Sequence, residues 1–266
     1  MSTASETLAG PQPGPGPGPT GSVRTLRQDN WWVTPLITLS VLVVFLVYST
    51  WASFQTTDYY IKPYISPFFS PCMTHGCPSG TGFDIFNWWR ISPAILIVLF
   101  PGGFRLTCYY YRKAYYRSFW WSPPSCAVAD FRPNYTGESR FPLILQNIHR
   151  YFFYAGLILN LILTYDAVEA FRFQGGVGVG LGTIIMVINA GLLWVYTLSC
   201  HSCRHLCGGQ INRFSEHPLR HWLWKRLTPI NARHMVFAWC SLIFVGFTDL
   251  YIRLVASGAI HDPRIF

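Results

Sequence analysis

Long apolar runs, separated by short polar stretches, set the pattern of this sequence. A helix that crosses the hydrocarbon core of a bilayer needs about 20 apolar residues. Five runs meet that length, over residues 31–54, 91–111, 149–171, 177–207 and 234–256. The second run is interrupted by Pro101, Gly102 and Gly103, where we expect a kink. The pattern predicts an all-α fold: a polytopic membrane bundle of five transmembrane helices.

The first 28 residues differ from the rest of the chain. Pro and Gly alternate from Gly10 onward, and this composition builds neither a helix nor a packed core. We therefore expect a disordered cytoplasmic tail over residues 1–28 and a membrane anchor domain over residues 29–266. A secretory signal peptide is not expected, because the first basic residues, Arg24 and Arg27, directly precede a full-length apolar run.

The composition agrees with a membrane protein and argues against a nucleic-acid binder. Hydrophobic residues make up 51% of the chain and charged residues 12%, whereas soluble domains carry about 25% charged residues. The net charge of +9 comes from basic residues that lie between the apolar runs. A nucleic-acid binder would concentrate them on one soluble face.

The distribution of basic residues predicts the orientation. They are concentrated in the second and fourth loops, at Arg112, Lys113, Arg117, Arg132, Arg140, Arg204, Arg213, Arg220, Lys225, Arg226 and Arg233. Such loops face the cytoplasm. We therefore expect a multi-pass plasma-membrane protein with its N-terminus in the cytoplasm and its C-terminus outside. The glycosylation sequon at Asn134 would be silent on the cytoplasmic side.

A cluster of thiols and imidazoles ends the fourth apolar run, in the stretch SCHSCRHLCG over residues 199–208. If this stretch is helical, Cys200, Cys203 and Cys207 share one face, and His201 and His205 share another. Free cysteine is also a common small core residue. A metal centre is the alternative that the density of donors favours.

Further donors are predicted at the same membrane depth. His149 opens the third run and His234 opens the fifth, while Cys108 and Cys126 lie at and beyond the end of the second. Polar residues at membrane-spanning segments are costly and tend to be functional. The topology thus predicts a metal centre near the cytoplasmic face.

Three kinds of centre suit these donors. Thiolates with imidazoles bind zinc or an iron–sulfur cluster, and a Rieske-type [2Fe–2S] cluster takes two Cys and two His ligands. A haem b held by His149 and His234 is the third possibility. A second haem is not expected, because His75 and His261 lie outside the apolar runs.

The loop after the first run contains two cysteines on the predicted outer side. Cys72 and Cys77 would face an oxidising compartment, and we expect a disulfide between them. A metal site formed by Cys72, His75 and Cys77 is the alternative, although no fourth ligand lies nearby in the sequence.

Acidic residues lie in the predicted outer half of the membrane. Asp166, Glu169 and Asp249 could form a proton path from outside toward a buried redox centre. For Asp249 the simpler alternative is an ion pair with Arg253, four residues later on the same helix.

Cationic and phenolic side chains lie where the second run meets the cytoplasm. Arg105, Tyr109 and the imidazole of His201 are candidates to bind a quinone beside the redox centre. Aromatic anchoring at the membrane interface explains the tyrosines equally well, but it does not explain Arg105, which lies one helical turn deeper.

Four stretches resemble a known family. RLTCYYYRKAYYRSFWWSPPSCAVA (105–129), FPLILQNIHRYFFY (141–154), LSCHSCRH (198–205) and NARHM (231–235) resemble the membrane anchor of actinobacterial type 1 succinate dehydrogenases. The resemblance extends from Ser22 to the C-terminus. It implies a subunit that does not bind succinate and that passes electrons from an iron–sulfur subunit to menaquinone. It also implies a Rieske-type cluster in the membrane subunit, a flavoprotein partner, contact with lipid and a complex that could form higher oligomers.

The ligand set stays open between two schemes. In the first, Cys200 and Cys203 bind one iron, and His149 with His234, or His205, completes the centre. In the second, His201 and His205 act with Cys108 and Cys126. The alternative functions are a mono-haem cytochrome b anchor and a non-redox membrane protein with structural zinc. The docking face is expected at Trp120, Trp121, residues 122–125 and the basic fourth loop.

Overall fold

The computed structural model describes residues 25–73, 78, 86, 88–89, 91–129, 148–209 and 211–266. These residues form a bundle of α-helices. The helices are α1 (Val33–Phe54), α2 (Pro93–Leu106), α3 (Tyr109–Ala114), α4 (His149–Glu169), α5 (Leu181–Leu198), α6 (His201–Gly208), α7 (Pro218–Ala232) and α8 (His234–Ala256).

Four helices are long and apolar enough to cross a membrane: α1, α4, α5 and α8. A π-helical turn, Tyr115–Phe119, extends α3, and the pair formed by α2 and this extended α3 makes a fifth candidate span with a bend of 70°. The prediction of a polytopic helical bundle is confirmed. Exposed apolar side chains cover α1, with Val44 and Val47 more than 60% accessible, as expected of a helix that faces lipid.

The break in the second span is not where the sequence predicted it. Helix α2 continues through Pro101 and ends at Leu106, and the chain turns at Thr107 and Cys108 before α3 begins. Gly103 serves close packing instead of a kink, because a Cβ atom there would lie 2.3 Å from Phe152 Cε1 on α4. The bend therefore falls at a cysteine.

The fourth apolar run is also two helices instead of one. Helix α5 ends at Leu198, and Cys200 adopts an extended conformation (ψ 145°) as the N-cap of α6, where its sulfur accepts a hydrogen bond from the Ser202 N–H. The prediction that Cys200, Cys203 and Cys207 share one helical face is therefore wrong, because Cys200 precedes the helix that carries the other two.

Helix direction brings four chain segments to one end of the bundle. Helices α4 and α8 begin at His149 and His234, and these residues contact the segments that follow α2 and α5. We call this the donor end. Arg27, at the end of the predicted tail, binds here to the Ser125 hydroxyl at 2.6 Å. Residues 25–28 are thus ordered against the loop after α3, and residues 1–24 lie outside the described residues.

Two short hairpins and the C-terminal segment cover the opposite end. Strand β1 (Tyr60–Ile61) pairs antiparallel with β2 (Tyr64–Ile65), and β3 (Arg172–Phe173) pairs antiparallel with β4 (Gly176–Val177). The Asp262 carboxylate accepts hydrogen bonds from Tyr64 OH at 2.7 Å, Tyr251 OH at 2.6 Å and the Gly182 N–H at 2.8 Å. One side chain thereby ties the C-terminal segment to β2, α5 and α8.

Candidate metal centre and adjoining cavity

Two thiol–imidazole pairs lie at the donor end. His149 Nε2 is 3.1 Å from Cys200 Sγ, and His234 Nε2 is 3.5 Å from Cys108 Sγ. Cys108, Cys200 and His234 are each 1% exposed, and His149 is half-buried. Two sulfur and two nitrogen donors therefore meet in one buried region of the fold.

Each of the four donors is placed by a helix boundary. Cys108 and Cys200 occupy the breaks after α2 and α5, and His149 and His234 are the first residues of α4 and α8. The local breaks in the sequence thus explain why donors from four segments converge.

Aromatic rings and hydroxyl groups hold both imidazoles in place. The His149 ring stacks on Phe104 with centroids 4.9 Å apart, and the His234 ring stacks on Tyr196 at 5.1 Å. His149 Nδ1 lies 2.9 Å from Thr107 Oγ1, and His234 Nδ1 lies 2.6 Å from Ser199 Oγ. In both cases Nε2 is the nitrogen that faces sulfur.

Burial keeps the Cys200 thiol protonated when no cation is bound. It raises the pKa of Cys200 to about 12, although the N–H groups of Ser202 and Cys203 act in the opposite direction. Metal binding would have to displace this proton, because the thiolate is the form that ligates metals.

The other predicted ligands have different neighbours. Cys203 is buried and its thiol interacts with that of Cys207, and burial raises its pKa to about 12. Cys126 is exposed, with its sulfur 3.7 Å from Arg117 Nη2, and exposed His205 faces Arg150 Nη2 at 3.2 Å. Within the described ranges, no three Cys, His, Asp or Glu side chains surround a single point suited to one metal ion. The sequence favours Cys203 over Cys108 as a ligand, but in the structure it is Cys108 that contacts a histidine.

A cavity of about 500 Å³ adjoins the two pairs inside the bundle. Helices α1, α2, α4, α5 and α8 contribute to its walls, and most of the lining is apolar. Its polar lining includes Arg105, Tyr111, Asn160, Tyr196 and Thr197. Phe104 and Tyr196, which stack on the two histidines, line it as well. The cavity and the imidazoles are thus separated by single aromatic rings.

Arg105 is fixed at the wall of the cavity. Its guanidinium donates to Tyr111 OH at 3.0 Å, to the Ala238 carbonyl at 3.2 Å and to Ser241 Oγ at 3.1 Å. It also lies over the Tyr196 ring, 4.7 Å from the centroid. Arg105 is the one predicted quinone ligand that reaches the cavity.

The other two predicted quinone ligands lie outside this lining. Tyr109 is 62% exposed, and Arg112 lies over its ring at 5.5 Å. His201 is exposed and stacks on Tyr110 with centroids 5.8 Å apart. Sequence reasoning missed Asn160, Tyr196 and Thr197, which are polar residues within apolar runs and could have been found by that signal.

The predicted proton-path carboxylates hold surface loops in place. Asp249 accepts hydrogen bonds from Tyr48 OH at 2.5 Å and from the Ser66 hydroxyl, and forms a buried ion pair with Arg253 at 3.0 Å. Asp166 accepts a hydrogen bond from the Ser70 hydroxyl. Glu169 pairs with the exposed Arg172 at 2.9 Å. These contacts favour the ion-pair alternative for Asp249.

Cys72 is disulfide-bonded. Its predicted partner, Cys77, lies outside the described residues, and so does His75. The pairing of Cys72 with Cys77 therefore stays a prediction.

Comparison with known proteins decides the family. The profile of the actinobacterial succinate dehydrogenase subunit SdhC matches residues 33–258. The chain belongs to this family. It is thus the membrane anchor subunit of an actinobacterial succinate dehydrogenase, an enzyme complex with further subunits.

A solved structure supports the same family assignment. It is similar to a chain in the structure described as the Mycobacterium smegmatis Sdh1 complex in the apo form, with 50% identity and a TM-score of 0.84. The alignment covers 91% of this chain and 94% of that chain. A search of curated proteins found no match. The family resemblance read from the sequence is therefore confirmed.

Proposed function

We propose that this membrane subunit carries electrons from the iron–sulfur subunit of its complex to menaquinone, through a Rieske-type [2Fe–2S] cluster held at the donor end. The observation that carries the proposal is the pair of buried thiol–imidazole contacts between His149 and Cys200 and between Cys108 and His234. Two thiolates and two imidazoles are the donor set of a Rieske centre.

The donor residues fit such a cluster in type, number and burial. The cluster would be held by Cys108, Cys200, His149 and His234. The sulfur atoms and imidazoles that now contact each other would bind iron instead. Bound there, the cluster supplies a one-electron carrier whose imidazole ligands raise its reduction potential.

The chain's own residues account for the chemistry around the site. Burial opposes a charged thiolate at Cys200, so the metal is needed to keep this thiol deprotonated. Stacking of Phe104 and Tyr196 on the two imidazoles excludes water from the ligand faces and keeps the centre inside a low-dielectric environment.

The adjoining cavity is proposed as the menaquinone site. Arg105 is a fixed cationic donor at its wall, and Tyr196, another wall residue, has a buried hydroxyl. Both suit a quinone carbonyl. Lipid-exposed Leu46 and Leu106 also line the cavity, so an isoprenoid tail could leave between α1 and α2.

The basic loops next to the donor end favour a cytoplasmic position for it. The iron–sulfur and flavoprotein subunits would dock there, and succinate would bind to the flavoprotein and not to the membrane subunit.

Ligand variants in the intact complex test the proposal. Cys108→Ser, Cys200→Ser, His149→Ala and His234→Ala should each abolish a paramagnetic signal that titrates between about −150 and +300 mV. Cys126→Ser and His205→Ala should keep it. If the signal survives in all four ligand variants, the proposed ligand set is wrong. Zinc without this signal would support a structural zinc site, and a haem α-band in the reduced-minus-oxidised spectrum would support a cytochrome.

The quinone site has its own test. Arg105→Met should lower menaquinone reduction by succinate at least about tenfold, because it removes a charged donor worth roughly 1.5–3 kcal/mol. Succinate oxidation with a soluble artificial acceptor should be unchanged. Arg264→Met is the control, since Arg264 lies over Phe173 at 4.7 Å, at the end of the bundle opposite the donor end, and does not line the cavity. Equal quinone reduction in both variants would contradict the assigned site.

A further inference from the structure

Two serines in the segment between α1 and α2 contact buried aspartates in the membrane helices. The Ser66 hydroxyl donates to Asp249 on α8, and the Ser70 hydroxyl donates to Asp166 on α4. Both serines are buried, and Asp249 and Asp166 are 0% and 7% exposed. The two pairs share one local geometry, but they differ in neighbouring charge and in contact with the cavity.

The two aspartates differ first in their counter-ions. Arg253 Nε lies 3.0 Å from Asp249 Oδ2. For Asp166, the described part of the chain contains no ion pair with a Lys, Arg or His side chain. A carboxyl group without a counter-ion in a membrane helix is costly, and such groups mark ion pathways and proton relays. Asp166 therefore needs a functional explanation that Asp249 does not.

The two serines differ in their contact with the cavity. Ser70 lines it, whereas Ser66 does not. Among the described lining residues, none has a carboxyl or an imidazole group, and the guanidinium of Arg105 cannot give up its proton. Ser70 is the lining residue whose hydroxyl contacts a carboxylate. A titratable carboxyl group thus reaches the cavity through Ser70.

The same helix leads from Asp166 to the surface at the end opposite the donor end. Glu169 is a neighbour of Asp166 at the i, i+3 position, and its side chain is 29% exposed. Exposure falls from Glu169 through Asp166 to Ser70, which is 1% exposed. On the other side of Asp166, toward the donor end, Asn160 and Thr197 add polar groups to the cavity lining.

We propose that Asp166 and Ser70 deliver protons to menaquinone in the cavity from the end of the bundle opposite the donor end. The proposal rests on the proposed function for the cavity as the quinone site. It keeps Asp166 and Glu169 of the proton path predicted from the sequence and omits Asp249.

The step balances electrons and protons. Reduction of menaquinone to menaquinol takes two electrons, which arrive one at a time from the donor end, and two protons. For each proton, protonated Asp166 donates to Ser70 Oγ while the Ser70 hydroxyl proton passes to water or to the quinone oxygen in the cavity. Asp166 then takes a new proton from the aqueous phase through Glu169. Electrons and protons thus enter the cavity from opposite ends of the bundle.

The side of proton uptake is measured in liposomes that contain the intact complex, menaquinone, a potassium ionophore and a pH-sensitive dye in the lumen. Succinate added outside is oxidised only by complexes whose soluble subunits face outward, and this oxidation releases its protons outside. We expect the lumen to lose two protons for each menaquinol formed. Constant lumenal pH would overturn the inference.

The orientation is checked in the same liposomes. Ser257→Cys, in a Cys126→Ser background, should be protected from an external membrane-impermeant maleimide in the fraction of complexes that oxidise succinate. Labelling of that fraction would contradict the docking face of the proposed function and would make external proton uptake the expected result for the same route.

Variants of the complex test the two residues. Asp166→Asn should slow menaquinol formation roughly a hundredfold, the lower end of what a positioned proton donor contributes, and its residual turnover should no longer make the lumen alkaline. Asp166→Glu should restore most of both. Ser70→Ala should also slow menaquinol formation. Ser66→Ala is the matched control and should not, because Ser66 contacts the ion-paired Asp249 and does not line the cavity.

Two further readouts separate this inference from the proposed function. Succinate oxidation with a soluble artificial acceptor and the cluster signal should be unchanged in all four variants. Unchanged menaquinol formation in Asp166→Asn, or in Ser70→Ala if Asp166→Asn does not assemble, would overturn the route. A wild-type complex that makes the lumen alkaline but lacks the cluster signal would reject the proposed cluster and support the proton route.

Discussion

At the scale of single residues, burial and neighbours separate cysteines that look alike in the sequence. Cys108 and Cys200 face imidazoles, Cys203 packs beside Cys207, and Cys126 is exposed near Arg117. The thiols that contact imidazoles are therefore the stronger candidates for a mixed thiolate–imidazole centre. The spacing C-x-x-C between Cys200 and Cys203 therefore does not by itself define a ligand pair.

Cys203→Ala tests this distinction. The variant should keep the cluster signal of the complex and lose about 1 kcal/mol of stability, as is typical of a small change in a packed core. Cys200→Ala should lose the signal. The measurements are the electron paramagnetic resonance spectrum of the complex and its thermal unfolding. Loss of the signal in Cys203→Ala would return Cys203 to the ligand set.

Asp249 tests the choice between a structural ion pair and a proton path. Asp249→Asn leaves the buried Arg253 without its counter-ion and should destabilise the subunit by roughly 3–5 kcal/mol. Glu169→Gln is the control, because its exposed pair with Arg172 should be worth about 0–1 kcal/mol. The check is thermal stability in detergent or lipid. A stable Asp249→Asn complex with slow quinone reduction would instead favour the proton path.

Part of the candidate site could be predicted from the sequence. His149 and His234 are candidates because each opens an apolar run at the same membrane depth, which topology alone defines. The contact between Cys108 and His234 could not be predicted, because it depends on a helix break that tertiary packing creates. Asn160 and Thr197 were overlooked although Asn160 Nδ2 donates to Thr197 Oγ1 at 2.8 Å, a typical pairing of polar groups between membrane helices.

At the scale of helices, two breaks create the site. The bend after α2 presents Cys108, and the extended residue between α5 and α6 presents Cys200. The proline and glycines at positions 101–103 predict a break at least four residues before the observed one at Thr107 and Cys108. They reflect only the intrinsic helix propensity of this segment. The packing of Phe152 on α4 against Gly103 is not visible in the sequence. Apolar length predicted the spans; it could not predict where packing interrupts them.

Gly103→Ala tests the role of close packing between α2 and α4. The new Cβ would lie 2.3 Å from Phe152 Cε1, so the two helices must separate or Phe152 must move. Overpacking of this kind typically costs about 1–3 kcal/mol, and it should shift Thr107 relative to His149 and weaken the cluster signal. Stability and signal intensity are measured together.

Gly102→Ala is the matched control for this change. The added Cβ would contact only Val98, at 3.8 Å. Alanine stabilises a helix by roughly 0.5–1 kcal/mol relative to glycine. The control should therefore be neutral or more stable and keep the signal. Equal behaviour of the two variants would show that contact at Gly103 does not place the donors.

At the scale of the whole molecule, the two ends of the bundle have different tasks. The donor end carries thiols, imidazoles and the basic loops. The opposite end is closed by the segment between α1 and α2, which carries Ser66 and Ser70, and by the C-terminal segment. The carboxylates of Asp249, Asp166 and Asp262 hold these segments in place. The cavity lies between them and is lined both by Ser70 near the closed end and by Arg105 near the donor end.

The orientation of this asymmetric molecule can be measured in cells. Ser257 is exposed just after α8, and Cys126 is exposed at the donor end. A membrane-impermeant maleimide added to intact cells should label Ser257→Cys in a Cys126→Ser background, and should not label native Cys126. The reverse pattern would place the donor end outside and contradict docking of the other subunits from the cytoplasm.

The proposed cluster at the donor end has two imidazole and two thiolate ligands. Pulsed electron paramagnetic resonance of the reduced, intact complex tests it most directly, because it counts the nitrogens bound to iron. We predict two strongly coupled histidine nitrogens, both lost in His149→Ala and in His234→Ala together with the signal. Absence of any strongly coupled nitrogen from the spectra of the reduced complex would contradict the account.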